Sequence, residues 1–92
     1  MAGVERRVAL VTGAGRGIGR RTAELLAGRG AKVMCVARSE SELASLGLDY
    51  AVADLGTLEG CQSAVEETER RLGPVEIFVC NHGLGSAHEK VI

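Results

Sequence analysis

Residues 8–11, Val-Ala-Leu-Val, run directly into Thr12-Gly13-Ala14-Gly15-Arg16-Gly17-Ile18-Gly19, and this join constrains the chain more than any other stretch. An unbroken apolar run of β-compatible residues reads as a strand covered on both faces, the habit of a parallel sheet sandwiched between helices. The glycines that follow permit a tight turn with positive φ. A helix starting inside that turn points its unpaired N–H groups and the positive end of its dipole back at the loop. An anion is favoured there, and a pyrophosphate is the natural occupant.

The rest of the chain repeats this strand-then-helix pattern. After the loop, Ile18, Thr22, Leu25, Leu26 and Arg29 recur at helical spacing, with Ile18, Leu25 and Leu26 expected to face the sheet and Gly28 and Gly30 to end the helix. Lys32–Ala37 reads as a second buried strand. Ser39 and Glu42 form a capping box for a short helix reaching Leu46, which Gly47 stops. Residues 48–53 read as a third strand, whose polar opening suits a sheet edge. Thr57 caps a longer helix with an inward stripe of Leu58, Cys61, Val65, Thr68 and Leu72. Its solvent side carries the pairs Glu66 with Arg70 and Glu67 with Arg71. Gly73-Pro74 ends that helix, and residues 75–80 form a fourth strand closing on Asn81-His82-Gly83. The order βαβαβαβ implies an α/β fold, a doubly wound parallel sheet of four strands in the order 3-2-1-4. Four strand ends then converge on one crevice: the glycine loop, Ala37-Arg38, Asp54-Leu55 and the Asn81 corner.

Composition excludes several other functions. A formal net charge of -1 with dispersed basic residues argues against nucleic acid or an anionic membrane as the main partner. Phe78 and Tyr50 are the only aromatics, too few for a base-stacking platform. Three cysteines, Cys35, Cys61 and Cys80, sit in apolar periodic segments, so a disulfide framework is not expected and a reduced, cytoplasmic setting is. Cys35 and Cys80 are expected to be buried apolar side chains. No stretch has the length of a signal-peptide core or a membrane span.

Counting glycines decides which loop this is. The G-x-G-x-x-G fingerprint fails in both registers, because Ile18 or Arg20 stands where the third glycine belongs. A G-x-x-x-x-G-K-[ST] loop fails for want of any Gly-Lys pair. The pattern that fits is Thr12-Gly13-x-x-x-Gly17-Ile18-Gly19, and on it the chain resembles the short-chain dehydrogenase/reductase (SDR) family in its classical form. Asp54-Leu55 matches that family's acidic position after the third strand, and Asn81-His82-Gly83 its Asn-Ala-Gly, with His82 replacing alanine and Cys80 standing where a second asparagine is common. The resemblance spans essentially all 92 residues and corresponds to a Rossmann-type NAD(P)-binding half-domain, incomplete at its C-terminus. It implies that the glycine loop, including Gly15, holds a dinucleotide cofactor, that Asp54 meets the adenine, and that a complete enzyme is a homo-oligomer reducing a small carbonyl compound or oxidising a secondary alcohol.

Cofactor choice follows from charge. An NAD site wants a carboxylate about 20 residues beyond the loop, at the end of the second strand. Ala37 stands there, Arg38 follows, and Arg16 lies in the loop. Two guanidiniums with no opposing carboxylate suit a ribose 2′-phosphate, so NADP(H) is expected in preference to NAD(H). The Tyr-x-x-x-Lys pair of the family is missing: the residue four after Tyr50 is Asp54, and the only lysines are Lys32 and Lys90. The 92 residues are therefore expected to bind cofactor without turning over substrate, either as a fragment of an oxidoreductase or, alternatively, as a non-catalytic NAD(P)-binding or sensor module. Cys80, His82, His88 and Glu89 crowd together without the spacing of a zinc site, and no metal is expected.

Overall fold

Burial on both faces makes the central strands. The structure, a computed structural model, describes residues 3–81. All five residues of β1 (Val8–Thr12) are buried, and β2 (Lys32–Ala37) beside it buries the four from Val33 to Val36. β1 pairs in parallel with β2, Val11 opposite Cys35, and on its other side with β4 (Ile77–Val79), Val11 opposite Val79. β2 pairs with β3 (Asp49–Val52), which gives the order β3-β2-β1-β4 expected from the sequence. Strand alternation sorts the core into two layers. Ala9, Val11, Val33 and Cys35 meet α1 (Gly17–Gly28) and α2 (Glu40–Ala44) through Ala23, Leu26 and Leu43. Leu10, Met34 and Val36 meet α3 (Leu58–Arg71) through Ala64.

The helices turn inward only part of the faces expected: Leu26 in α1 and Thr68 and Leu72 along α3 meet the expectation, and the other large apolar positions do not. In α1 the buried line is Gly19, Ala23 and Leu26, whereas Ile18 is 77% exposed and Leu25 52% exposed. The helix lies so close to the loop that small residues, rather than the largest apolar ones, occupy the contact. In α3 Ala64 and Thr68 are buried and Leu72 is half-buried, while Leu58, Cys61 and Val65 are exposed. Thr68 keeps its hydroxyl satisfied inside the helix, donating to the Ala64 carbonyl at 2.7 Å. α3 rests on β1 and β2, so its flank stands beside β4 over an apolar groove of about 100 Å³ that Cys61, Val65 and Phe78 line. Phe78 is 61% exposed there.

Helix ends show which sequence signals hold. Thr57 caps α3 as expected, its Oγ1 accepting from Gly60 N at 2.9 Å. Such a cap contributes about 1 kcal/mol. Ser39 occupies the N-cap position of α2 without a side-chain cap bond; its hydroxyl lies 3.3 Å from that of Ser41. The capping box therefore does not form, because Glu42 turns to a charged partner outside the helix, a stronger attraction than a neutral amide. α2 ends at Ala44, before Gly47 at φ +76. Glu66 and Arg70 do not pair; Arg70 reaches Glu67 at 2.6 Å, and Arg71 bridges Glu67 at 3.4 Å and Asp49 at 3.0 Å. These bonds hold Glu67 below the usual carboxylate range, Arg70's foremost. β3 and β4 are shorter than expected at 49–52 and 77–79, although Glu76 N already donates to Val8 O at 2.9 Å.

The cysteines divide cleanly. Cys35 lies in the core, whereas Cys80, expected to be buried, is exposed, as is Cys61. β4 is an edge strand among the described residues, and Cys80 follows its last residue, which leaves no layer to cover the thiol. Burial pushes the Cys35 thiol up to about 11, with a further rise from Asp49 and a small opposing effect of Arg20. Native-state alkylation near neutral pH is therefore expected to modify Cys61 and Cys80 and spare Cys35. Intact and peptide mass spectrometry checks this; modification of Cys35 at the same rate would overturn its placement. A raised thiol pKa also means that this group's contribution to stability is intact below the unfolded value near 9.0 and fades as pH climbs toward about 11.

Candidate dinucleotide site

In a parallel sheet all strands end on one side, and the loops leaving β1, β2 and β3 enclose a cleft of about 280 Å³. Of the residues expected at the site, Gly13, Gly15, Arg16, Ala37, Arg38 and Leu55 line it, together with Ser39, Glu42 and Ala53. Gly13 turns the chain at φ +62, and a side-chain carbon there would press on the Asn81 backbone at 3.2 Å. Gly19 sits under the loop, and a Cβ on it would overlap the Gly13 carbonyl. Only hydrogen fits between the first turn of α1 and the end of β1. The loop is held to β2 by Ala14 N donating to Val36 O at 3.2 Å.

The start of α1 is left open to a ligand. Arg16 stands at its N-cap in extended conformation with no side-chain cap bond, and the first turn carries no acidic residue. α3 offers the contrast, with Thr57 capping it and Glu59 in its first turn. The unpaired N–H groups of Gly17, Ile18 and Gly19 and the positive end of the dipole therefore face the loop uncompensated. Gly17 bends the chain into this helix at φ +63.

Other expected site residues lie behind or beside the cleft. Thr12 is buried, its hydroxyl donating to Val79 O at 3.4 Å and accepting from Asn81 N at 3.0 Å, which makes it the tie between the ends of β1 and β4. The Asn81 side-chain Nδ2 is buried and finds no partner among the described residues. Asp54 accepts from Gly56 N at 2.9 Å, a bond within its own turn. His82 and Gly83 lie outside the described residues, as do His88 and Glu89 of the cluster considered for a metal. Among the described residues no group of three His, Cys, Asp or Glu side chains could hold a metal ion, and no helix is long and apolar enough to cross a membrane. Tyr50 donates its hydroxyl to Glu40 at 3.1 Å, a bond that raises its pKa, the opposite of what a proton-relaying tyrosine needs.

Two residues shape this cleft that no motif in the sequence marks as part of it, Glu42 and Arg20. Glu42 enters the cleft, its Oε2 3.2 Å from Arg16 Nε, which overturns the expectation of two cations with no carboxylate near them. Arg20 clamps α2 to the loop: one guanidinium nitrogen lies 3.4 Å from Gly15 O, 3.1 Å from Glu42 O and 3.0 Å from Ser45 Oγ. Glu42 matched a capping pattern within its own helix, and nothing local to it signals a partner in the loop. In the sequence Arg20 figures only as the residue that breaks a glycine pattern, and nothing near it signals its reach to α2.

Known proteins with this arrangement were found by both sequence and shape. A family model described as short chain dehydrogenase matches residues 7–91. The chain is 42% identical over 89 residues to the 3-oxoacyl-acyl-carrier-protein reductase FabG of Escherichia coli, covering 87% of this chain and 35% of that protein. It is 42% identical over 81 residues to human L-xylulose reductase, covering 83% and 31%. Among solved structures, a variant of actinorhodin polyketide ketoreductase with NADPH superposes with a TM-score of 0.76 at 33% identity, covering 82% of this chain and 32% of that one. The chain thus spans about a third of the length of the relatives it matches. With the family model matched along nearly its whole length and the parallel 3-2-1-4 sheet behind the glycine loop, the chain belongs to the short-chain dehydrogenase/reductase family of oxidoreductases.

Proposed function

We propose that this cleft binds the adenosine and pyrophosphate of a nicotinamide dinucleotide, NADP(H) in preference to NAD(H), as the cofactor-binding part of an oxidoreductase acting on a carbonyl or secondary alcohol. The observation that carries the reading is that the uncapped start of α1 and the two arginines, Arg16 and Arg38, share one cleft. The residues present fit such a group. Gly13 and Gly19 keep the loop free of side chains, and Asn81 retains a buried donor beside Gly13. The ketoreductase whose structure superposes on this chain carries NADPH.

In this reading the first-turn N–H groups of Gly17, Ile18 and Gly19 receive the pyrophosphate, and Gly15 lets it approach the backbone. Arg38 and Arg16 receive the 2′-phosphate, Leu55 and Ala53 flank the adenine, and Asp54 stands at its edge. Thr12 acts through Asn81 by fixing the end of β4. When bound, the nicotinamide supplies or accepts a hydride at the substrate carbon. The residues described here bind and orient; the chain contains no Tyr-x-x-x-Lys pair to move a proton. Turnover of a model ketone by the 92 residues alone is therefore expected to be absent while binding persists.

Titration calorimetry of the chain with NADP+ and with NAD+ tests this directly. Binding of NADP+ at least several-fold tighter than NAD+ is the expected result, since phosphate contacts to arginine are charge-assisted. Equal affinity would remove the 2′-phosphate assignment, and binding of neither would remove the site.

A further inference from the structure

We infer that Glu42 sets how strongly this cleft discriminates between phosphorylated and unphosphorylated dinucleotides, by standing in for the phosphate on Arg16; the inference rests on the reading of the cleft as a dinucleotide site. Arg16 is 84% exposed in its side chain, and its Nε lies 3.2 Å from Glu42 Oε2. The other carboxylate oxygen of Glu42 presses against the loop, 2.6 Å from where a side-chain carbon on Gly15 would lie. The Glu42 carboxylate is thus part of the cleft wall beside Arg38. Its position is built from the backbone up. Arg20 ties the Glu42 carbonyl and Ser45 to the Gly15 carbonyl, so α2 and the glycine loop are held together at this point.

The consequence for a ligand is asymmetric. A 2′-phosphate must take the Arg16 guanidinium away from Glu42 and then sit near that carboxylate, a like charge. A 2′-hydroxyl meets neither cost and can donate to the carboxylate. Glu42 therefore lowers the preference that Arg16 and Arg38 create, and Arg38 carries more of the phosphate recognition than Arg16 does. The same carboxylate neutralises Arg16 when no nucleotide is bound, which keeps the cleft from presenting two bare cations.

The experiment is calorimetry of the whole chain and of Glu42→Gln with NADP+ and NAD+ at one ionic strength. Glu42→Gln is expected to raise the ratio of the two affinities in favour of NADP+ by roughly 2- to 5-fold, the scale of an exposed ion pair. In an Arg16→Gln background the same substitution is expected to raise the ratio by clearly less, because only the direct effect of the carboxylate on the 2′ group is left to remove. Glu42→Asp, which keeps the charge but withdraws it by one methylene, should fall between and decides the matter if Glu42→Gln is unfolded by circular dichroism. A ratio that stays put, equal weakening of both cofactors, or a full-sized effect without Arg16 would each overturn the role given to Glu42. Failure of the unaltered chain to bind either cofactor would instead overturn the dinucleotide reading, and this inference with it.

Discussion

Gly19→Ala is expected to destabilise the chain by roughly 1–3 kcal/mol, the usual cost of forcing a methyl group into a filled site, and to abolish nucleotide binding. The added carbon would overlap the Gly13 carbonyl and come within 3.2 Å of the Thr12 carbonyl. Gly13 has no room to retreat, because it is packed against the Asn81 backbone and its own φ is +62. The strain is relieved only if α1 lifts from β1, and that movement pulls Ala23 and Leu26 out of the layer formed with Ala9, Val11 and Val33. The uncapped first turn of α1 moves with it. Gly28→Ala, at the far end of the same helix, meets nothing within 4 Å and supplies the control. There the change is expected to be neutral or stabilising by up to about 1 kcal/mol, since alanine loses less backbone entropy on folding. Urea melts of the two variants give the comparison. If Gly19→Ala melts where Gly28→Ala does, α1 does not rest on the loop as described.

The strands were legible because burial on both faces leaves a mark that no neighbour is needed to read. Residues 8–11 and 33–36 are apolar without a break, and each alternates between the α1 and α3 layers as the pleat requires. The glycine loop was legible because its spacing is itself the structure: Gly13 turns and Gly19 yields space. Helix faces were less so. Size made Ile18, Leu25, Leu58 and Val65 look like core, yet closeness of approach put Gly19, Ala23 and Ala64 there instead. A helical period fixes spacing within a stripe but not which of two adjacent stripes meets the sheet. Charged residues were the least legible. Glu42 satisfied a local capping pattern, and only the fold could show that α2 delivers it to Arg16. A preference for NADP(H) argued from two arginines alone therefore overstates the positive charge at the cleft, and the weight falls on Arg38.

Charge reversal at Arg38 is the sharpest probe of that weight. Arg38 follows Ala37 at the carboxyl end of β2, lines the cleft, and joins none of the ion pairs formed among the described residues. Its guanidinium is thus free to meet a phosphate, whereas Arg16 must first leave Glu42. A charge-assisted hydrogen bond contributes about 1.5–3 kcal/mol, so Arg38→Glu is expected to weaken NADP+ binding by roughly 10- to 100-fold, with repulsion from the new carboxylate carrying it to the upper end. NAD+ should be held within about 3-fold of the unaltered chain or gain slightly, because a carboxylate at the end of the second strand can accept from the ribose 2′-hydroxyl. Arg16→Ala is expected to cost NADP+ binding less, since the charge it removes is already half-answered by Glu42. The site is open to solvent, and rising ionic strength should therefore shrink the NADP+ difference between the unaltered chain and Arg38→Glu while leaving NAD+ nearly unmoved. Equal losses for the two cofactors, or an NADP+ loss indifferent to salt, would mean that Arg38 shapes the loop and does not read the phosphate.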